Sequence, residues 1–522
     1  MAPYNFEGDF GNLSESQIEF INKVIEEQDL KVNKVVFKPV GQAGDNFVAN
    51  VMRISIEGEN GSMKMVIKIA PGDEKIRTTV KADLLFHNEH VMYTEVLPKL
   101  VALQKAAGVP EEEHLRYAKC YGSLNEAPYE IILLEDLNES DFKMLNKFDS
   151  LSDECVRSIL KNFAILHSVS YALKEKQPET FESFKSKLID VWSVNFSTKE
   201  ARDYFQLLEN SILANLDEEE HKSKFKSNFM EILKLPIQLA QDRDCKYSIV
   251  QQGDAWTNNI MFKFSEDKLE QSVMIDYQGS KISNPVGDIL YMIFNCTDHE
   301  TRSIYYYDWI DYYHTELDRC LSYYDLKINY IYPRDRLDAD LRRYGKISFG
   351  LSSMLTYVLM RDTKEAGEML ESFKSGDPND EGDLRESVMV DYQASSSHNP
   401  MTDILFMIYI CTDHEARSQN LHDWLDYYHS ELDKSLSHFG LKANDIYLRD
   451  QLDADLKRYV LFNNVLMRDA SEVAAMMEAL KIGGFDGVME NMDKHAMSKE
   501  TFDRSKKRLL DLIETYTQYD LL

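Results

Sequence analysis

Gly253-Asp254-Ala255-Trp256-Thr257-Asn258-Asn259, followed by Ile275-Asp276-Tyr277-Gln278, is the stretch on which the reading of this chain turns. The two segments supply one carboxylate able to accept a proton and two oxygen ligands able to hold magnesium. Phosphoryl transfer asks little more of a protein, because its catalysis is mostly positioning and charge neutralisation. Asp254 and Asn259 alone also read as a turn held by Asx hydrogen bonds. Asp276 changes the balance. Ile260-Met261-Phe262 and Val273-Met274-Ile275 predict a hairpin that brings both carboxyl groups to one mouth. There Asp254 acts as general base or orients the hydroxyl, while Asn259 and Asp276 hold a Mg2+ that bridges phosphates.

Working outward, Met65-Val66-Ile67-Lys68 is an apolar strand ending in a lysine. Lys68 reads either as a solvated strand end or as a cation for the α- and β-phosphates. Glu89, in Phe86-His87-Asn88-Glu89, is a helix carboxylate able to hold it. The turn Gly41-Gln42-Ala43-Gly44-Asp45-Asn46 is either a plain hairpin or a loop whose backbone N–H groups approach phosphate.

The N-terminal part predicts a small lobe. Ser14 to Glu27 carries a helical stripe at Ile18, Ile21, Val24 and Ile25, capped by Ser14 or Ser16. Strands are expected over 35–37, 47–56, 63–69, 118–121 and 130–134, with one long helix over 81–103. The lobe ends near Glu135-Asp136-Leu137. From Asp153 to about Asp242 the pattern is helical, and beyond Asp276 it is helical again.

The 522 residues exceed what one small core needs, so two or more lobes are expected. A net charge of −30 disfavours sequence-independent nucleic-acid binding and anionic membranes. An anionic cofactor such as ATP then needs a local cationic pocket or metal ions. The six cysteines are scattered, without zinc spacing, and read as buried thiols of a reducing compartment. The first residues lack the pattern of a secretory signal, and no apolar run reaches 18 residues. A cytoplasmic protein, and a monomer, is the expectation.

An internal repeat dominates the C-terminal half. Residues 273–344 match 388–459 without a gap at an offset of 115, with about three fifths of positions identical. Asp276 falls on Asp391, Asp288 on Asp403 and Trp309 on Trp424. Farther on, Val358-Leu359-Met360-Arg361-Asp362 recurs as Val465-Leu466-Met467-Arg468-Asp469 at an offset of 107, so the second copy lacks eight residues. A segmental duplication or a faulty gene model explains two such copies better than a solenoid does.

Together these residues carry a resemblance. Gly44-Asp45-Asn46, Lys68, Phe86-x-Asn88-Glu89 with Tyr93 and Leu97-Pro98, and Leu134-Glu135-Asp136-Leu137 come first. Gly253-Asp254-x-Trp256-x-Asn258-Asn259-Ile260-Met261-Phe262, the Asp276-Tyr277-Gln278 triplet and Asp288-Ile289-Leu290-Tyr291 follow. The chain resembles the ecdysteroid-kinase-like (CHK kinase-like) family of insects, relatives of aminoglycoside and choline kinases. The likeness spans about residues 30 to 360, and Leu509 to Leu522 resembles the family's C-terminal helix. It implies an α+β, bilobal protein-kinase-like fold: a small antiparallel-sheet N-lobe and a mostly helical C-lobe, here with an extra helical duplicated segment. It also implies ATP and Mg2+ as cofactors, with Glu135 to Leu137 at the adenine hinge and Asp288 as a buried carboxylate bracing the catalytic loop. The family usually has His before the Gly-Asp, where this chain has Gln252, which puts full activity in question.

Only the first Asp-Tyr-Gln follows a Gly-Asp-x-Trp loop. Lengthening the connection from 22 residues to 137 costs only about 1.6 kcal/mol by loop-closure scaling, so length does not choose between the copies. The eight-residue loss does, because at about 100° per residue it turns the following helix by roughly 80° and misaligns its apolar stripe. Asp276 is therefore the expected ligand. The organisation read from the sequence is an N-lobe over 1–136, a catalytic and substrate lobe over 137–374, an acidic linker over 375–387, and a partial duplicate with the terminal helix over 388–522. Tyr305-Tyr306-Tyr307 and Tyr312-Tyr313 read as core packing rather than as a substrate cleft. The expected activity is ATP-dependent phosphorylation of a hydroxyl on an ecdysteroid, another steroid or a xenobiotic alcohol, a small apolar substrate. A catalytically impaired small-molecule binding protein and a choline- or ethanolamine-type kinase are the alternatives.

Overall fold

Alternation of apolar residues builds the N-terminal sheet. The computed structural model describes residues 13–40, 49–197, 216–360 and 499–519, with isolated residues and short runs at 4–11, 202–213 and 425–442. The strands are β1 (Phe6–Gly8), β2 (Val32–Pro39), β3 (Asn50–Gly58), β4 (Gly61–Ile69), β5 (Cys120–Leu124) and β6 (Ile131–Glu135). They form one sheet in the order β1-β2-β3-β4-β6-β5, antiparallel except for the three-residue edge strand β1, which runs parallel to β2. Five of the six were expected from sequence; β1 was not, because three residues are too few to show a period.

Val35, Phe37, Ile54, Ile56, Met65, Ile67, Ile131 and Leu133 share one buried face. Helix α1 (Glu15–Glu26) covers it with Ile21, Val24 and Ile25. Its N-terminus is set by a capping box, with the Ser14 hydroxyl accepting from Gln17 N and the Gln17 side chain returning to Ser14 N. Side chains alternate along a strand, so Lys68, next to Ile67, projects to the opposite face. That face carries α2 (Ala82–Val91).

The long helix expected over 81–103 is interrupted. α2 passes into a π turn (Met92–Val96), and α3 (Leu97–Ala106) begins with Pro98 in its first turn. Proline has no N–H for the carbonyl four residues back, and the wider turn takes up the mismatch.

The remainder of this unit is mainly helical. α4 (Asp153–Lys176) runs through its core beside α5 (Val286–Cys296) and α6 (His299–Ser322), and α7 (Arg334–Leu359) packs on α5. Two small sheets sit among them. β7 (Phe142–Met144), β9 (Ile260–Ser265) and β10 (Lys268–Met274) form one, and β8 (Ile249–Gln251) with β11 (Lys281–Ser283) forms the other. The predicted β9–β10 hairpin is present, with Ile260 opposite Met274.

The chain divides into two compact units, Met1–Leu370 with Glu500–Leu522, and Glu371–Lys499. Helix α8 (Lys499–Gln518) returns to the first unit, where Tyr516 OH donates to Ser348 Oγ at 2.7 Å and Arg302 Nε donates to Thr515 Oγ1 at 3.1 Å. The linker over 375–387 and the second triplet, Asp391-Tyr392-Gln393, lie outside the described residues. Of the tyrosine cluster, Tyr306 and Tyr313 are buried in the core and Tyr307 is exposed, in line with packing rather than substrate contact. No helix among the described residues is long and apolar enough to cross a membrane.

Candidate active site

Lys68, at the end of β4, stands opposite Val51 on β3 and Ile132 on β6. Its Nζ donates to Glu89 Oε2 at 2.6 Å and to Asp276 Oδ1 at 2.9 Å. Three of the residues singled out in the sequence thus meet at one point, drawn from the sheet, from α2 and from the loop after β10. Burial lowers the affinity of Lys68 for its proton, but the charges of Asp276 and Glu89 outweigh it and hold the ammonium well above its usual range. Burial pushes the Glu89 carboxyl up to about 7, with Lys68 opposing.

Asp254 and Asn259 flank the short turn before β9. Asn259 Nδ2 donates to the Asp254 backbone carbonyl at 2.9 Å and to Asp254 Oδ2 at 3.0 Å. This commits the amide nitrogen to Asp254 and leaves Asn259 Oδ1 as the atom with which the residue can approach a cation. The Asn259 carbonyl accepts from Ile275 N at 2.9 Å, which ties the Asp254 loop to the residue before Asp276. Burial raises the Asp254 carboxyl to about 7, and the charge of Asp276 adds to the rise, against hydrogen bonds from Tyr291 and Asn259 and the charge of Lys281. Tyr291 OH donates to Asp254 Oδ1 at 2.5 Å.

The two loops approach so closely that only glycine fits between them. Gly253 has φ +86°, and a Cβ built there would stand 2.0 Å from the Gly279 carbonyl oxygen. Asp276 itself lies in the left-handed region, with φ 57° and ψ 73°, where a non-glycine residue is strained by roughly 1–3 kcal/mol unless its surroundings hold it. Its surroundings do. Gln252 Nε2 donates to the carbonyls of Ile275 and Asp276, each at 2.9 Å, and Gln252 Oε1 accepts from Asp254 N at 2.7 Å. Asn88 holds the far side of the same loop, donating to the carbonyls of Gln278 at 3.1 Å and Ser280 at 3.3 Å.

Behind the loop Asp288 is buried, as the resemblance implied, and accepts from Gln252 N and Gly253 N, both at 2.9 Å. His167 Nε2 pairs with Asp288 Oδ2 at 3.2 Å, and its Nδ1 pairs with Tyr313 OH at 2.9 Å.

Two expected cofactor regions fare differently. Gly41, Gly44, Asp45 and Asn46 lie outside the described residues. Glu135 closes β6, where Arg116 Nη2 donates to its Oε1 at 2.6 Å and Lys119 N to its Oε2 at 3.0 Å. Asp136 pairs with Arg53, and Leu137 starts a short 3-10 turn.

Sequence reasoning missed His167, Tyr291 as a partner of Asp254, and Lys281. Tyr291 carries a usable signal, since it lies three residues after Asp288 and so shares its helix face. His167 has none beyond its place on an apolar stripe. Beside Gly253 a small cleft of about 40 Å³ opens, lined by Trp192, Leu235, Leu239, Lys281, Tyr291 and Leu351 among others.

A sheet-based lobe and a helical region meeting at a Lys–Glu–Asp cluster define a protein-kinase-like fold of the phosphotransferase class. The chain belongs to the ecdysteroid kinase-like family, whose model matches residues 43–326 and 377–441. The second match lies in the repeated segment. Similar solved structures include the GDP complex of wild-type aminoglycoside 2'-phosphotransferase-IIIa, at 15% identity over 69% of this chain and 99% of that one, with a TM-score of 0.32. A point mutant of that enzyme, also a GDP complex, gives 14% identity over 69% and 97%, with a TM-score of 0.35. Comparison with curated proteins gives no match.

Proposed function

We propose that the protein is an ATP- and Mg2+-dependent O-kinase of small apolar alcohols, an ecdysteroid, another steroid or a xenobiotic alcohol. The observation that carries this reading is the convergence of Lys68 on Glu89 and Asp276 at 2.6 and 2.9 Å, beside an Asp254 paired with Asn259. In this reading the Lys68 ammonium binds the α- and β-phosphates and Glu89 orients it. The residues that would hold the metal are Asp276 and Asn259. One carboxylate and one amide oxygen suit Mg2+, which keeps several waters and takes its remaining ligands from the phosphates. When bound, the ion supplies charge neutralisation at the transferring phosphoryl group. Asp254 accepts the proton of the acceptor hydroxyl as its oxygen bonds to the γ-phosphorus; the bond from phosphorus to the bridging oxygen breaks and ADP leaves. A carboxyl raised to about 7 suits a base working near neutral pH. Glu135 to Leu137 receives adenine.

Gln252 supports the active reading over the impaired one. Its amide makes two donor bonds and one acceptor bond at once, more than a neutral imidazole offers. The apolar lining of the cleft supports an apolar acceptor.

The test is incubation with Mg-ATP and a panel of steroid and plant-derived alcohols, with phosphorylated product followed by mass spectrometry. Product formation that disappears in Asp254→Asn and in Asp276→Ala is expected. Alcohol binding with no turnover, unchanged in both variants, overturns the proposal.

A further inference from the structure

One cation beside Asp254 has no task in the chemistry above. Lys281 opens β11 opposite Gln251, is only 6% exposed, and lines the cleft with Trp192, Leu235, Leu239 and Tyr291. A Cβ built at Gly253 would lie 3.2 Å from Lys281 Nζ, so the ammonium stands against the residue immediately before Asp254. It is poorly partnered there. Its hydrogen bond among the described residues is a 3.5 Å contact with the Gly279 carbonyl oxygen, and an ammonium has three donors to place. Lys68, equally dry, has two carboxylates within 2.9 Å.

The carboxylate on the cleft wall, Asp288, is already committed. Its Oδ1 accepts from Gly253 N, and its Oδ2 from Gln252 N beside His167. A buried donor group short of partners, aimed into a mainly apolar cleft, is what a ligand oxygen would complete. The repeat is informative here, because the position matching Lys281 in the second copy is Ser396. The cation belongs to the first copy alone.

We propose that Lys281 is the acceptor-recognition residue of this cleft: its ammonium hydrogen-bonds a second oxygen of the alcohol, close to the hydroxyl facing Asp254, and its charge rejects cationic amino alcohols. This rests on the kinase reading given above. Like charges repel strongly in a low-dielectric cleft, and Asp288, the carboxylate of the lining, is already engaged by the Gln252 and Gly253 amides. A neutral alcohol with a neighbouring hydroxyl or carbonyl meets three waiting donors instead. The acceptor class is therefore an apolar diol or hydroxyketone, and not a choline-like or ethanolamine-like alcohol.

Three acceptors on one steroid skeleton test this: a vicinal diol, the corresponding mono-alcohol, and the amino alcohol with an amine in place of the second hydroxyl. Each is assayed with Mg-ATP against wild type, Lys281→Met, Lys281→Arg and Asp254→Asn. Wild type is expected to favour the diol over the amino alcohol by at least roughly tenfold in kcat/KM, the scale of one charge-assisted hydrogen bond. Lys281→Met raises KM for the diol by about tenfold with a smaller change in kcat and erases the preference, and Lys281→Arg retains it. A wild type that takes the amino alcohol as readily as the diol overturns the proposal whatever the variants do. So does a Lys281→Met protein that keeps the preference. Turnover that is absent in wild type, or that survives Asp254→Asn, refutes the kinase reading instead. In that event equilibrium binding of the three compounds, read by quenching of the fluorescence of Trp192 on the cleft wall, decides the Lys281 proposal by the same order of preference.

Discussion

Lys68 and Asp276, 208 positions apart, are joined by a 2.9 Å ion pair that ties the N-terminal sheet to the loop after β10. Glu89 completes the cluster from α2, so one buried ammonium serves two carboxylates.

Replacing Lys68 by Met leaves Glu89 buried without its counter-charge. Breaking a buried pair from one side costs about 3–5 kcal/mol. Lys68→Met is therefore expected to lower the midpoint of chemical denaturation clearly and to abolish phosphoryl transfer. Lys68→Met with Glu89→Gln should recover much of the stability and none of the activity. Recovery of both together would show that the cluster is structural only.

Asp254 is raised to about 7, mainly by burial. As a base it must be ionised, so kcat/KM should rise with pH through about 7, and Asp254→Asn should lose that limb along with about 10²–10⁴ of the rate. Asp276 contributes to the raised value, and a bound metal ion would neutralise that contribution. The limb in kcat is therefore expected at lower pH than the limb in kcat/KM. Stability follows the opposite course. The folded state holds its proton more tightly than the unfolded chain, whose Asp titrates at about 3.8, so this contribution is complete below about 3.8 and lost as pH rises through about 7. The melting temperature of Asp254→Asn relative to wild type should climb between pH 5 and pH 8.

Gln252 binds Asp254 N and the carbonyls of Ile275 and Asp276. Gln252→Leu leaves these three backbone groups unpaired in a dry site, at about 1–3 kcal/mol each. Lower stability, and a fall in kcat of at least about tenfold, is expected. Gln252→His keeps one donor and one acceptor and should fall between the two proteins. Steady-state kinetics beside thermal melts would check the order.

Gly253→Ala sets a methyl group 2.0 Å from the Gly279 carbonyl at a φ of +86°. The loops must separate, which moves Asp254 away from Asp276. A loss of activity of about 10²-fold is expected, since displacements of about 1 Å cost that much. Gly72→Ala, where a Cβ meets nothing within 4 Å, is the matched control.

Asp276→Ala is expected to abolish Mg2+-dependent turnover, while Asp391→Ala leaves it intact. The reverse pattern would assign the site to the second copy. Metal titration of each variant, followed by product formation, distinguishes them.

Much of the fold was legible before any coordinates. Five strands of the N-terminal sheet stood out as short apolar runs between turn residues, and the start of α1 because Ser14 or Ser16 stands before its apolar stripe; that Ser14 is the cap, in a box with Gln17, came from the structure. The interruption of the 82–106 helix at Pro98 was readable and passed over. Edge strand β1 was too short to see. Within the candidate site, Asp254, Asn259, Asp276, Lys68 and Glu89 were singled out by residue type and spacing. The linkage of His167 to Asp288 was not, since 121 positions separate them and no period connects them.

The sequence by itself determined most of the elements and the family, because periodicity, turn residues and motif spacing are properties of neighbours along a chain. Tertiary structure decided which groups touch: Lys68 with both carboxylates, Gln252 with two loops, Tyr291 with Asp254, and Lys281 left short of partners on the cleft wall. These contacts arise only where burial has removed water and made each polar atom depend on a protein partner. No local pattern states which partner that will be.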